Sequence, residues 1–304
     1  MAKSVLITGV GGFASRYMCD YLNGLKPRPN IIGVDVKDTL FESCDSVYKV
    51  DLSSVNDVME LFKRSKPDFI IHLAGVFGTG YYHEIHKANV LSMAALLESA
   101  CQYSPDVVMV AAGSAAEYGR LELHQLPVDE EMLCQPITPY GLSKYLATQI
   151  AMYYHRVHNI NITVVRPFQL IGKGLSPLLA PGAFAEQLKK AIAKGSKIIK
   201  VGNLESSRDF LDISDAVEAI WALCQKPAPG QIFNLCSGKP TKIADLLDMM
   251  IASTGADVKV EVDSKRLRGT SDINKIFGSY KKLQDHCDWK PKISLEVSIR
   301  RMFK

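Results

Sequence analysis

Short, unbroken apolar runs alternate with longer stretches of helical periodicity through the first half of the chain. Val5–Thr8 is the first run, followed by a glycine turn and an amphipathic stretch from Phe13 to Leu22. Ile31–Asp35 and Tyr48–Val50 come next, and Val55–Phe62 carries Val55, Val58, Met59 and Phe62 on one helical face. Phe69–Leu73, a helix around Asn89–Tyr103, the run Val107–Ala112, a helix from Pro139 to His155 and a strand at Ile162–Val165 complete the series. Strand–helix alternation with continuous β-branched runs predicts an α/β fold, a Rossmann-type doubly wound parallel sheet covered on both faces by right-handed crossovers.

After Arg166 the grammar changes. Gly and Pro crowd Gly172–Gly182, and regular alternation weakens until Gly230–Leu235. We read residues 1–166 as the sheet domain and 167–304 as mainly a smaller, mixed, substrate-facing lobe. Segments near 205–235, among them Phe210–Cys224 and Ile232–Leu235, are expected to return to the sheet. A cleft then lies beside the C-terminal edge of the strands, where ligands bind in such folds.

Composition narrows the setting more than the chemistry. The 304 residues are 47% hydrophobic and 22% charged with a net charge of +4, so no general electrostatic case exists for nucleic acid or a membrane. No apolar run approaches the ~18 residues that span a bilayer, and the first apolar stretch is too short for a secretory signal. Seven cysteines without a C-x-x-C pair suggest neither a disulfide framework nor a zinc site, so no metal is expected and a reducing, cytoplasmic setting is the simplest reading.

Thr8-Gly9-Val10-Gly11-Gly12-Phe13-Ala14-Ser15 leaves the first strand and opens the first helix. Glycines allow a sharp turn and let a pyrophosphate approach helix N-terminal N–H groups, whose dipole favours an anion. That placement makes Gly9, Gly11, Gly12 and Phe13 candidate dinucleotide contacts. Asp35 ends the second strand, where a carboxylate accepts from both ribose hydroxyls and repels a 2′-phosphate, which favours NAD over NADP. Lys37 lies near enough to blunt that repulsion, so NADP use stays open. Asp51 and Leu52 either contact the adenine or belong to a helix-capping run, Asp51–Ser54.

Thr138-Pro139-Tyr140-Gly141-Leu142-Ser143-Lys144 signals a helix start, with Thr138 capping and Pro139 at the first helical position. Tyr140 and Lys144 then share a face. An ammonium beside a phenol favours phenolate, so Lys144 is expected to lower the Tyr140 pKa and let it exchange a proton with an alcohol or carbonyl oxygen. Ser114, after the preceding strand, can donate to the same oxygen.

Together these motifs resemble the short-chain dehydrogenase/reductase family, in its extended branch acting on nucleotide sugars. The resemblance covers nearly the whole chain. It implies that Leu73, Ala74 and Gly75 pass the cofactor, that Asn89 follows on the next helix, and that Arg166, in Arg166-Pro167-Phe168, belongs to the cofactor side. It also implies that Lys144 holds the nicotinamide ribose and that Gly78 and Thr79 line the sugar pocket. Val201–Phe210 is similar to a stretch in enzymes of GDP-mannose and GDP-6-deoxyhexose metabolism, which gives Arg208 the substrate diphosphate; an ion pair with Asp209 or Asp212 is the other reading of that residue. Arg268 or Arg266 supplies a second diphosphate contact, and Gln169 stands where the family has a substrate-binding asparagine.

The family's third turn glycine is Ser15 here. The catalytic Asp–Glu pair of the branch's dehydratases is replaced by Ala115 and Ala116, which argues against water elimination. Gly172–Pro177 is similar to reductases of 4-keto GDP-6-deoxyhexoses. The resemblance therefore implies an NAD(P)-dependent 4-keto reductase. A 4-epimerase or 4-oxidase is the alternative, and a non-catalytic dinucleotide-binding regulator the alternative of another class. The helices Asn89–Tyr103 and Tyr140–His155 are apolar around much of their circumference, and the resemblance implies that they pair into the family's four-helix contact of a homodimer.

Overall fold

The computed structural model describes residues 3–38, 41–78, 81–195, 197–266 and 273–304. The first strands are β1 (Ser4–Thr8), β2 (Asn30–Asp35), β3 (Ser46–Lys49), β4 (Phe69–His72), β5 (Val108–Ala112) and β6 (Asn161–Pro167). After them come β7 (Gln169–Ile171), β8 (Ile198–Val201), β9 (Ser207–Asp212), β10 (Ile232–Leu235), β11 (Pro240–Lys242) and β12 (Lys259–Val262). A seven-stranded sheet runs in the order β10-β6-β5-β4-β1-β2-β3, with every pairing parallel. The expected α/β, doubly wound architecture is present. Strands β1, β4 and β5 are buried along nearly their whole length because helices cover both faces, whereas edge strand β3 is more polar and less enclosed.

One face carries α1 (Phe13–Asn23) and the other α2 (Val55–Ser65). A helical run follows through α3 (Tyr82–His86), a π-helical turn (Lys87–Leu91) and α4 (Ser92–Tyr103). Next are α5 (Pro139–His158), α6 (Ala180–Lys194), α7 (Ile213–Gln225), α8 (Ile243–Thr254), α9 (Lys281–Cys287) and α10 (Leu295–Phe303). Met18, Leu22, Ile220 and Leu223 from α1 and α7 close over one face of the sheet. Val58, Phe62, Leu96, Leu97 and Ala151 from α2, α4 and α5 close over the other.

Sheet register brings the site together. Thr8 pairs with both Val34 and His72, His72 with Ala111, and Ala112 with Val165. The segments leaving β1, β2, β4 and β5 therefore emerge at one edge.

The second half differs in detail from the expectation. Ile232–Leu235 does return, as β10 beside β6. Residues 210–224 do not add a strand to that sheet: β9 joins a three-stranded sheet, β11-β9-β7, and α7 packs on the large sheet as a helix. A two-stranded sheet, β12-β8, lies with α6, α8 and α10 around a separate apolar core that includes Phe184, Leu188, Ile199, Phe210 and Leu246.

Candidate active site

Helix α5 starts as its sequence dictates. The Thr138 hydroxyl accepts the Gly141 N–H at 3.0 Å and Pro139 occupies the first turn, a cap that contributes about 1 kcal/mol. One turn apart on this helix, Tyr140 and Lys144 both meet the end of β5. The Lys144 ammonium donates to the Ala112 carbonyl at 2.8 Å, and the Ser114 hydroxyl lies within hydrogen-bonding reach of the Tyr140 oxygen. Gly141 must be glycine, because a Cβ there would sit 2.4 Å from the Ala116 carbonyl oxygen. Ser114, Tyr140 and Lys144 are thus brought together.

Burial dominates their electrostatics. It pulls Lys144, 6% exposed, down to about 8, with the Glu117 carboxylate opposing the shift. The expected lowering of Tyr140 is not what this arrangement gives. Burial of its hydroxyl end raises it above the usual 10, Ser114 pulls the other way and Glu117 pushes it further up. Tyr140 is therefore a neutral phenol, suited to giving a proton.

At the end of β1, Gly9 turns at φ +67°, and a Cβ there would lie 2.8 Å from Ala74 Cα. Gly12 precedes α1 with no side-chain cap, and Phe13 opens the helix, so its first N–H groups are available to an anion. Ser15, in place of the third glycine, is 1% exposed and turns its hydroxyl back to the Thr8 carbonyl at 3.4 Å. Asp35 accepts from Gly11 N–H at 2.9 Å and from Lys37 N–H at 3.1 Å.

The Thr8 hydroxyl accepts Ala74 N–H at 3.1 Å and hydrogen-bonds His72 Nδ1 at 2.8 Å. Burial and the nearby Lys144 lower His72 to about 3, so the imidazole is neutral. Leu73 packs against the core of the α1 side. Asn89, on the π turn, accepts from Val76 N–H at 2.9 Å and donates to the Val76 carbonyl and the Ser143 hydroxyl. It thereby ties the segment after β4 to α5. A Cβ at Gly75 would stand 2.8 Å from Asn89 Oδ1 and 3.3 Å from Lys144 Nζ, so this glycine lets the three approach.

Three of the expected cofactor contacts are engaged within the protein itself. Arg166 is 3% exposed, bonded through Nε to Glu117 at 3.0 Å and through Nη1 to the Tyr118 hydroxyl at 3.2 Å, so its guanidinium is used inside the protein. Leu52 is 8% exposed and sits in the apolar core beneath the sheet. Asp51 accepts from both N–H and hydroxyl of Ser53, while Ser54 caps α2. The capping reading of Asp51–Ser54 therefore describes this segment.

In the second half of the chain, Gln169 begins β7 with its side-chain oxygen buried and without a hydrogen-bond partner. Arg208, half-buried on β9, donates to the Ser207 carbonyl at 2.9 Å. Asp209 is occupied by Ser237, Gly238 and Gly278, and Asp212 by Ser298, Ser214 and Arg301. Gly78 is exposed beside Phe77, whose ring meets Tyr140 edge-on at 6.4 Å. Thr79 and Arg268 lie outside the described residues. Among the described residues no group of three His, Cys, Asp or Glu side chains gathers to hold a metal ion, and no helix is long and apolar enough to cross a membrane.

Residues 5–236 match the model of the NAD dependent epimerase/dehydratase family. The chain belongs to that family. Within it, the chain is 26% identical over 311 residues to GDP-6-deoxy-D-mannose reductase of Pseudomonas aeruginosa, covering 99% of this chain and 96% of that one. It is 27% identical over 283 residues to GDP-6-deoxy-D-talose 4-dehydrogenase of Aggregatibacter actinomycetemcomitans, covering 92% and 89%. In structure it resembles RMD from Pseudomonas aeruginosa complexed with NADPH, with a TM-score of 0.87, 24% identity, and 99% and 98% of the two chains covered.

Membership of this extended short-chain dehydrogenase/reductase family makes the chain an NAD(P)-dependent enzyme. The residues present fit such a cofactor. The glycine turn can admit a pyrophosphate at an uncapped helix start, and Asp35 stands at the end of the neighbouring strand.

Glu117, Thr8, Ser143 and Phe77 were not among the candidates drawn from the sequence. Ser114-Ala115-Ala116-Glu117 has the capping-box pattern, and the structure forms that box, so a signal for Glu117 was there. The other three depend on contacts between distant segments and carry no local signature.

Proposed function

We propose that this enzyme is a 4-keto reductase of a nucleotide-linked 6-deoxyhexose, with a GDP sugar as the substrate type. The observation that carries this reading is the convergence of Ser114, Tyr140 and Lys144 at the end of β5, with Tyr140 a neutral phenol. In this reading Ser114 donates to the sugar's 4-keto oxygen, Tyr140 protonates that oxygen as reduction proceeds, and Lys144 holds positive charge beside it and the nicotinamide ribose. The bound cofactor supplies the hydride. Asp35, already engaged by two backbone N–H groups, disfavours a 2′-phosphate, so NADH is the preferred donor and NADPH the secondary one. Arg208 and one of Arg266 and Arg268 hold the diphosphate, with Gly78, Thr79 and Gln169 around the sugar and base.

The relatives named above, a reductase and a 4-dehydrogenase of GDP-6-deoxyhexoses, support the substrate type. Ala115 and Ala116 leave no acid–base pair for dehydration. The test is to add a 4-keto GDP-6-deoxyhexose with reduced nicotinamide. Loss of the reduced-nicotinamide absorbance is expected, and no turnover with any 4-keto nucleotide sugar would reject the reading. Asp35 also suits a 4-epimerase that keeps NAD bound; sugar interconversion by purified protein without added cofactor would decide for that alternative.

The helical surface carries Leu91, Leu142, Tyr153 and Val157, all more than a third exposed. A homodimer through α4 and α5 would cover them, and light scattering that finds only monomer would rule it out.

A further inference from the structure

One buried acid has no part in the proton transfer described above. Glu117 is 0% exposed. Its Oε1 accepts Ser114 N–H at 2.8 Å and the Thr148 hydroxyl at 3.1 Å, and its Oε2 accepts Arg166 Nε at 3.0 Å. Thr148 lies two turns along α5 from Tyr140, and Arg166 lies on β6 beside β5. A single carboxylate therefore joins the Ser114 turn, the helix of the Tyr–Lys pair and the neighbouring strand. Gly113 makes room for it, since a Cβ there would fall 2.3 Å from Oε1.

The ion pair has a direction. From Arg166 a chain of hydrogen bonds continues to the Tyr118 hydroxyl, then to Asn234 and the Val128 carbonyl. The guanidinium is thus anchored by the Tyr118 hydroxyl as well as by Glu117, and the other carboxylate oxygen meets the Ser114 N–H and α5. A buried pair is costly to desolvate and is weak evidence for stability alone, which points to another use.

We propose that Glu117, held by Arg166, is a positioning residue: it fixes the Ser114 turn against the helix carrying Tyr140 and Lys144 and turns its negative end toward both. This rests on the reading of Tyr140 as proton donor. Burial raises the Glu117 carboxyl, while the Arg166 guanidinium, the Ser114 N–H and the Thr148 hydroxyl pull it down and favour the carboxylate. That charge opposes the desolvation of Lys144 and so keeps its ammonium near neutral pH, and it holds Tyr140 in the acid form that reduction requires. The other titratable groups around this cluster contribute no competing anion near neutrality. His72, facing Lys144 from β4, is neutral, and burial raises the Tyr118 phenol and the Cys134 thiol. Glu130, which acts on Tyr118, lies on the far side of the chain of hydrogen bonds, bonded to Asn234 N–H.

The first readout needs no sugar; the second is the pH profile of turnover. Tyr140 ionisation is followed by phenolate absorbance, as the difference between each protein and the same protein carrying Tyr140→Phe. Glu117→Gln keeps the side chain's shape and removes its charge. Because it strands the Arg166 cation, Glu117→Gln with Arg166→Gln is measured beside it, with thermal melting to establish folding. We expect the Tyr140 midpoint to fall by about one pH unit in the folded variants. We also expect the high-pH limb of turnover, assigned to Lys144, to move down in parallel. A midpoint and limb unmoved in a folded variant would overturn the proposal, whatever rate is lost. Failure of the wild type to reduce any 4-keto nucleotide sugar would instead sink the reductase reading, and the phenolate titration would still judge Glu117.

Discussion

The two layers that carry the candidate residues are built differently. On the sheet side, each candidate group is held by backbone geometry: the glycine turn by the end of β1, Asp35 by the end of β2, Lys144 by the Ala112 carbonyl at the end of β5. On the lobe side, Gln169 and Arg208 stand on the small three-stranded sheet, and Arg268 falls in a segment outside the described residues. The sheet side carries the chemistry common to a whole family. The lobe side, in our reading, selects the sugar. Under the proposed function, the difference teaches that the reaction type is written into rigid strand ends, whereas substrate choice is written into side chains on a separate layer.

Substitutions on the two layers should therefore fail differently. Tyr140→Phe removes the proposed proton donor and should lower kcat roughly a thousandfold, with cofactor affinity and melting temperature unchanged. A lobe-like response, with KM raised and kcat kept, would break the contrast. Next comes pH. Reduction needs the ammonium of Lys144 and the phenol of Tyr140. Lys144 sits at about 8 while Tyr140 lies above its usual 10, so the ammonium is lost first as pH rises. Turnover should be flat below about 8 and fall about tenfold per pH unit above it, a limb that Lys144→Arg should displace upward.

Arg208→Met should act in the opposite manner, raising KM about tenfold by removing charge-assisted bonds to a diphosphate with kcat within about twofold. The smallest effect belongs to Asp35→Asn, which should shift the NADPH-to-NADH preference several-fold toward NADPH and leave the sugar's KM alone. Fluorescence titration of the two reduced nicotinamides measures that ratio directly.

Legibility in the sequence follows the same division. Continuous apolar runs announced β1, β2, β4 and β5, and Thr138-Pro139 announced α5, because local patterning and capping act within a few residues. The π turn that sets Asn89 against Val76 and Ser143 was read as ordinary helix, since nothing local distinguishes it. Arg166 sits at the expected strand end, yet its direction depends on a buried partner from another segment, Glu117. The Tyr140 phenol followed the same logic. Spacing placed Lys144 beside it, but the degree of burial, a property of the assembled fold, decides its protonation. Of the expected return of Phe210–Cys224 to the large sheet, helix α7 packs there but strand β9 joins the three-stranded sheet instead, because short apolar strands look alike whichever sheet they join.

The most direct measurement supplies reduced nicotinamide deuterated at C4 on the transferable side, together with a 4-keto GDP-6-deoxyhexose, and reads the product sugar by mass and NMR. The account predicts one nicotinamide oxidised per sugar, with deuterium at sugar C4 and the new hydroxyl formed there. Nicotinamide oxidation without label in the sugar, or sugar interconversion on retained NAD without net oxidation of added cofactor, would contradict it.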